Sequence, residues 1–238
     1  MQIDRERDQP TSEPYDNAVP FIIPERVPVF ALPNVVFFPK TYLPLHIFEP
    51  RYRQMTQDAL DGDRLMTIVQ TRPADPSNPW VEPVPILDVA CVGRIIQHER
   101  LPDGRFNMLL LGCKRVRLIH EVPSSKLYRL AAASVMEDVE SIEHRDLRRD
   151  ELVERFLEVF RVRYQLDPDL ARLLNSDLSL GILSDVMAHS LDFPAAVKQS
   201  LLEEPRVDRR VDLLISLLGS LLDQQPRPRR FPHPFSLN

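Results

Sequence analysis

Hydrophobic and polar residues alternate with a period of two along the first half of the chain, which is typical of β-strands. The clearest case is 114–120, where Val116 and Leu118 alternate with Arg115 and Arg117. The two arginines are therefore expected on the wet outer face of a sheet. The same pattern predicts strands at 27–32, 35–38, 64–70, 86–101, 105–111 and 128–136.

A β-hairpin is predicted where the Pro-Asp-Gly sequence at 102–104 separates two of these strands, because glycine readily supplies positive φ in a tight turn. An apolar segment interrupted by proline lies at 43–48. One short helix follows; it begins at Pro50 and is expected to end at Gly62. Since strands and helices do not alternate, residues 27–140 are predicted to form a small, mainly antiparallel β-barrel.

Beyond residue 140 the hydrophobic pattern changes to a period of 3.6, which indicates amphipathic helices. The longest example is 145–164, and Ser179 is a suitable N-cap for a helix at 180–191. Further helices are predicted at 170–174, 194–203 and 207–222. Residues 141–222 are thus predicted to form a helical bundle, which makes the fold class α+β.

Both ends of the chain are polar and rich in proline. Residues 1–26 are predicted to be a mostly disordered leader, and 223–238 a tail containing proline and arginine. The N-terminus lacks the apolar core of a signal peptide, and no run approaches the roughly 18 apolar residues of a membrane helix. We therefore expect a cytoplasmic protein with no membrane partner.

The overall charge argues against a polyanion as the main partner. The 238 residues carry a formal net charge of -5, whereas non-specific nucleic-acid binding depends on clustered lysine and arginine. A local basic stripe remains an alternative, since the strands carry Arg94, Arg100, Arg105, Lys114, Arg115, Arg117 and Arg129. RNA binding is therefore kept as the alternative function.

The sequence contains none of the local motifs expected of a common enzyme or metal site. No glycine-rich phosphate loop, H-E-x-x-H or G-x-S-x-G pattern is present. Cys91 and Cys113 lie in apolar strands, where a small buried side chain is expected rather than a nucleophile or a disulfide. The acidic pair at 137–138 is expected on a solvated face. We predict no catalytic residue, cofactor or metal.

Aromatic side chains are the best candidates for a binding surface. Most of them are expected in the core, but Tyr42 between prolines and Trp80 in a proline-rich loop suit full burial poorly, because phenol and indole need a polar partner. Tyr42, Trp80 and Phe106 are our candidate peptide-binding residues. His46, flanked by Leu45 and Ile47, is expected to be a hydrogen-bonded structural histidine.

Several longer stretches carry a resemblance to a known family. They are LPNVVFFP at 32–39, PLHIFEPRYR at 44–53, the hairpin at 93–105, LLGCKRVRL at 110–118 and LGILSDVMAHSL at 180–191. With these motifs the chain resembles the N-terminal substrate-binding domain of the Lon protease family, in the stand-alone form in which that domain is the whole protein. The resemblance extends over about 27–222.

This resemblance implies a PUA-like pseudo-barrel followed by a helical bundle. It also implies a non-enzymatic adaptor that recognises unfolded or degron-bearing polypeptides and is linked to a proteolytic system. On this resemblance we expect the chain to lack the ATPase module that follows this domain in a Lon protease, and with it the Ser-Lys dyad region of the protease. RNA binding stays open as the alternative because PUA-like barrels elsewhere bind RNA.

Two residues depart from the pattern of the family. Lys40 occupies a position where glycine is usual, directly after the LPNVVFFP stretch. Arg206 stands where an acidic N-cap commonly precedes the last helix. The start of that helix must therefore be satisfied by another group, or it frays.

Overall fold

Strands dominate the first part of the chain and helices the second. The computed structural model describes residues 22–72, 83–140, 145–163, 174 and 176–223. The chain divides into two compact units, Met1–Glu137 and Asp138–Asn238. Most of the predicted leader, the loop that carries Trp80, the tail beyond residue 223, and the predicted helix at 170–174 except Leu174 lie outside the described residues.

The first unit contains six strands and one helix in its described part. The strands are β1 Arg26–Leu32, β2 Tyr42–Ile47, β3 Leu65–Gln70, β4 Val89–Arg100, β5 Phe106–Val122 and β6 Arg129–Met136; the helix is α1 Pro50–Leu60.

These strands form one sheet that closes on itself. Their order is β2-β5-β4-β3-β1-β6, and β6 pairs in addition with β5. The first half of β5 pairs with β2 and its second half with β6, so five strands close into a barrel and β2 extends it. All pairs are antiparallel except β1 with β3. The predicted α+β fold with a mainly antiparallel pseudo-barrel is confirmed.

Strand β3 is buried on both faces, which explains its continuous apolar sequence. Met66 and Ile68 pack in a cluster with side chains of α1. Leu65 and Val69 point to the other side, into a cluster with Val116 of β5. The barrel therefore has apolar packing on both sides of this strand.

Several sequence-based expectations for the strands of this unit are wrong. Residues 35–38 do not form a strand; Phe37 and Phe38 are buried in a connecting segment. The predicted strands 105–111 and 114–120 are one strand, β5, with a register shift opposite Val92 and Gly93. Arg115 is 3% exposed instead of lying on the outer face, because it is flanked by Cys91 of β4 and Met136 of β6.

The turns largely follow the sequence. Helix α1 begins at Pro50 with Glu49 as the N-cap, as predicted. It ends at Leu60 with Asp61 as the C-cap, but the left-handed residue after it is Arg64, with φ 62°, rather than Gly62. In the β4–β5 hairpin Gly104 has φ 81°, which is the conformation for which glycine is favoured in turns.

The second unit is helical. Its described helices are α2 Arg145–Arg163, α3 Leu180–Ser190, α4 Ala195–Glu203 and α5 Val207–Asp223, close to the predicted bounds. The Ser179 hydroxyl accepts a hydrogen bond from the Ile182 N–H and so caps α3 as expected. No helix in the described ranges is both long and apolar enough to cross a membrane.

The start of α5 is satisfied by backbone rather than by an acidic cap. The Val207 N–H donates to the Val139 carbonyl at 3.0 Å, and the Val139 N–H donates to the Pro205 carbonyl at 2.9 Å. Arg206, at the N-cap position, pairs with Asp208. The missing acidic cap is thus replaced by a short bridge to the chain segment that precedes α2.

Arg210 on α5 is fully buried and holds this unit together. Its guanidinium donates to both carboxylate oxygens of Asp138, at 3.2 and 2.8 Å, to the Ser184 hydroxyl at 2.9 Å and to the Glu204 carbonyl at 2.7 Å. Asp185, 3% exposed, lies 3.4 Å from the same guanidinium. Asp138 is exposed, as expected, and its carboxylate forms an ion pair with the buried arginine.

Acid should weaken the helical unit through His189. Burial, followed by the charge of Lys198, lowers the pKa of His189 from 6.5 to about 4. Above pH 6.5 the ring is neutral in both the folded and the unfolded state. Below that pH only the unfolded state takes up the proton, so the free energy of unfolding should fall by about 3 kcal/mol between pH 6.5 and pH 4.

Urea unfolding at several pH values tests this expectation. His189→Gln should flatten the fall in stability between pH 6.5 and pH 5, where carboxylates contribute least. His120→Gln, which removes an exposed ring, serves as the control and should keep the slope of the wild type. An unchanged slope in His189→Gln would contradict the assignment.

Candidate peptide-binding surface

The structure places the three candidate aromatic residues in different environments. Tyr42 is the first residue of β2 and is 56% exposed. Phe106 is 3% exposed and packs in the core, because it begins β5 on the inward face opposite Ile47. Its side chain is therefore core rather than binding surface. Trp80 lies outside the described residues.

Strand β2 is the terminal strand of the sheet. Among the described residues it pairs with β5 alone. The Thr41 carbonyl accepts a hydrogen bond from the Gly112 N–H of β5 at 2.9 Å. Because backbone groups alternate in direction along a strand, those of Leu43 and Leu45 point to β5, and those of Tyr42, Pro44 and His46 point away from it.

This geometry explains why proline is accepted inside β2. Pro44 has no N–H to donate, but its backbone faces outward, where the ladder with β5 loses nothing. A proline on an outer edge also removes one of the groups that promote uncontrolled strand pairing. The outward row keeps donors and acceptors at Tyr42 and His46 and an acceptor at Pro44. The outer edge of β2 can therefore pair with another strand over a short length only, and Pro44 removes one donor from it.

The side chains of Tyr42, Pro44 and His46 lie on one exposed face of β2. We call these three residues together with Phe48 the β2 surface. Phe48 is 60% exposed, and its ring centroid lies 6.3 Å from that of His46. On β5, the residues opposite Tyr42 and Pro44 are the half-buried Leu111 and Leu109. Apolar side chains thus continue from the edge onto the sheet.

Sequence reasoning did not select Phe48 for this surface. The signal was present, because Tyr42, Pro44, His46 and Phe48 follow one another at intervals of two. Phe48 is adjacent to the buried Ile47 and lies just beyond the end of β2. An apolar run of this kind does not reveal which of its two faces is buried.

His46 is the polar residue of the β2 surface and lies between Pro44 and Phe48. Its Nδ1 lies 2.8 Å from the Asn107 Oδ1, and its Nε2 lies 3.3 Å from a guanidinium nitrogen of Arg105. Since arginine can only donate, Nε2 accepts and Nδ1–H donates. Asn107 in turn donates to Glu99 at 3.0 Å. His46 is hydrogen-bonded as expected, and its side chain is exposed.

Lys40 stands just before β2 in an unfavourable backbone conformation. Its φ is 60°, a left-handed value that costs a residue with a Cβ about 1–2 kcal/mol. Its N–H donates to the Gly112 carbonyl at 2.8 Å, which holds the backbone in this turn. The conformation accounts for glycine being usual here in the resembling family. Here the site presents an exposed ammonium group instead.

The cysteines and basic residues favour neither a reactive thiol nor a polyanion site. Burial raises the pKa of the Cys113 thiol, which keeps it protonated and weakens it as a nucleophile. Several strand cations are paired with carboxylates, and Arg115 is buried. The pairs are Lys114 with Glu137, Arg105 with Asp103, and Arg129 with Glu121. Such pairing reduces the positive potential that RNA binding requires.

Comparison with known proteins gives a consistent result. A family model described as the ATP-dependent protease La (LON) substrate-binding domain matches residues 26–220. The Lon protease of Xanthomonas oryzae pv. oryzae is 26% identical over 226 residues, which cover 93% of this chain and 26% of that protein. The Lon protease of Escherichia coli K12 is 27% identical over 199 residues, which cover 83% and 25%.

Solved structures share the fold. The N-terminal domain of Mycobacterium avium complex Lon protease superposes with a TM-score of 0.64 at 15% identity and covers 82% of this chain and 98% of that chain. A Lon N-terminal domain protein from Xanthomonas campestris gives a TM-score of 0.57 at 20% identity, with 80% and 97% covered. The chain spans about a quarter of the length of the curated relatives it matches.

Proposed function

The chain belongs to the family of Lon substrate-binding domains, and from this we propose that it binds polypeptide segments without catalysing a reaction itself. The family model describes a substrate-binding domain and matches most of the chain. The relatives are described as proteases, but the chain corresponds to about a quarter of their length. Recognition is therefore the activity that the matched region supports.

The observation that carries the proposal is the β2 surface. Two large aromatic side chains, Tyr42 and Phe48, are more than half exposed beside a terminal strand whose outer backbone groups face away from the sheet. Aromatic residues supply large contact areas at low entropic cost and are enriched where binding energy concentrates. An extended apolar segment would cover these rings.

The expected partners are unfolded or degron-bearing polypeptides, and a link to a proteolytic system follows from the same family relationship. The expected cytoplasmic location is part of this proposal. A chain that captures such segments without cleaving them would act as an adaptor or regulator. Trp80 remains a candidate contact from the sequence alone.

Binding of a fluorescently labelled, permanently unfolded protein, measured by anisotropy, tests the proposal. The double variant Tyr42→Ala/Phe48→Ala should bind about five- to thirtyfold more weakly, because truncating a buried aromatic contact costs roughly 1–2 kcal/mol or more. Trp80→Ala forms a separate arm that tests the third aromatic candidate in the same assay.

Ile119→Ala is the matched control, because Ile119 is a large apolar side chain of β5 that is 58% exposed but lies outside the β2 surface. It should bind as the wild type does. Unchanged binding by the double variant, or an equal loss in the control, would exclude the β2 surface as the binding site. The length of the labelled partner is measured at the end of the assay; an intact partner is the result expected if the chain does not cleave it.

A further inference from the structure

Lys40 marks the point where the outer edge of β2 begins. Its left-handed backbone and its hydrogen bond to the Gly112 carbonyl turn the chain immediately before Tyr42. The side chain is exposed, and among the described residues no carboxylate lies within ion-pair distance of its ammonium group. A strand added along β2 would therefore make its last backbone hydrogen bonds at Tyr42, beside the unpaired ammonium group of Lys40.

That charge selects the direction of an added strand. A parallel segment would bring its N-terminal end to Lys40, where its ammonium group would be repelled. An antiparallel segment would bring its C-terminal end there, and antiparallel pairing is also slightly the more stable. We propose that β2 takes the free C-terminal end of an extended apolar polypeptide as an antiparallel strand, with its carboxylate beside Lys40. The inference rests on the proposed function.

The register follows from the outward backbone groups. With the last residue of the polypeptide opposite Tyr42, the Tyr42 N–H donates to the terminal carboxylate and the Tyr42 carbonyl accepts from the last N–H. The residue two positions earlier lies opposite Pro44, which only accepts, and the residue four positions earlier lies opposite His46. Directly opposed residues share a face of the sheet, so the last and third-last side chains lie against the apolar part of the β2 surface and should be apolar.

A pair of labelled peptides tests the carboxylate. Both have one apolar sequence, and one ends in a free acid while the other ends in a carboxamide. For the wild type we expect the acid to bind about two- to fivefold more tightly, the range of an exposed ion pair, with the difference shrinking at high salt. In Lys40→Gln the two peptides should bind equally.

Arg64→Gln is the matched control. Arg64 is also an exposed cation with a positive φ, of 62°, but it precedes β3, which is not a neighbour of β2. It should retain the preference for the acid. Equal binding of acid and amide by the wild type, or a preference that survives Lys40→Gln, would overturn the inference and leave the proposed function intact. Failure to bind either peptide would remove both.

Amide hydrogen exchange tests strand addition separately. On binding the acid peptide, the Tyr42 and His46 amides should become protected, because they point away from β5. The Leu43 and Leu45 amides already face β5 and should change little. Unprotected Tyr42 and His46 amides in the complex would overturn the antiparallel strand. A carboxamide peptide with an internal acidic residue that binds as tightly as the free acid would likewise overturn selection of the chain end.

Discussion

Replacing Arg210 with alanine is expected to lower the free energy of unfolding of the helical unit by about 3–5 kcal/mol, the usual loss when one partner of a buried ion pair is removed. The guanidinium is fully buried and connects Asp138, Ser184 and Glu204. In the alanine variant the buried Asp185 carboxylate loses the nearby guanidinium charge, and the Glu204 carbonyl loses the hydrogen bond that Arg210 donates. Urea or thermal unfolding of the full chain measures the effect.

Arg209→Ala is the matched control, since Arg209 is the neighbouring residue on α5 and is exposed. It should change stability by no more than about 0.5 kcal/mol. A second variant, Arg210→Met with Asp185→Leu, removes both the cation and its most buried carboxylate, and should recover part of the loss. Equal stability of Arg209→Ala and Arg210→Ala would contradict the role given to the buried guanidinium.

The helices were predictable from sequence, whereas the buried arginine was not. The period of leucine, valine and phenylalanine gave the bounds of α2, α3, α4 and α5 to within a few residues, because one face of each helix is apolar. Arg210 lies in the polar sequence Val-Asp-Arg-Arg-Val, which resembles a solvated face. Its burial depends on Asp138 and Asp185, which are distant in sequence, and local pattern carries no such information.

In the barrel, alternation identified strands but not their surroundings. Residues 35–38 have strand-like composition, yet Phe37 and Phe38 are used to fill the core from an irregular segment. Arg115 alternates with Val116 as an outer residue would, yet both are buried. Arg115 lies directly opposite Cys91 of β4 and Met136 of β6, and Val116 packs in the apolar cluster with Leu65 and Val69. A period of two indicates that the two faces of a strand differ in polarity. Tertiary packing decides whether either face is exposed to solvent.

For the candidate site, sequence reasoning expected Tyr42 to suit full burial poorly, because a phenol needs a polar partner, and the residue is 56% exposed. It misplaced Phe106, whose side chain direction depends on the pairing of β5 with Ile47 of β2. The unusual lysine at position 40 was visible in the sequence. Its positive φ and its location at the start of a terminal strand required the structure.

Gly112→Ala is expected to destabilise the barrel unit by about 3 kcal/mol or more, at the upper end of overpacking effects. A Cβ at this position would lie 2.0 Å from the Phe38 carbonyl oxygen and 3.2 Å from the Pro39 Cα. These are backbone atoms, so no rotamer change can relieve the contact. The segment before β2 would have to move, and thermal unfolding of the barrel unit measures the cost.

Gly219→Ala is the contrasting control. The nearest atom to a Cβ there is a guanidinium nitrogen of Arg155 at 3.9 Å, and alanine is favoured over glycine within a helix by up to about 1 kcal/mol. It should therefore stabilise the protein slightly. In Gly112→Ala, movement of the segment before β2 would also weaken two hydrogen bonds that fix the start of this strand. They run from the Lys40 N–H to the Gly112 carbonyl and from the Gly112 N–H to the Thr41 carbonyl. If enough folded protein remains, the preference for a free C-terminal carboxylate should be reduced although Lys40 itself is unchanged. Wild-type stability in this variant would show that the close approach of the two segments is not required for the fold.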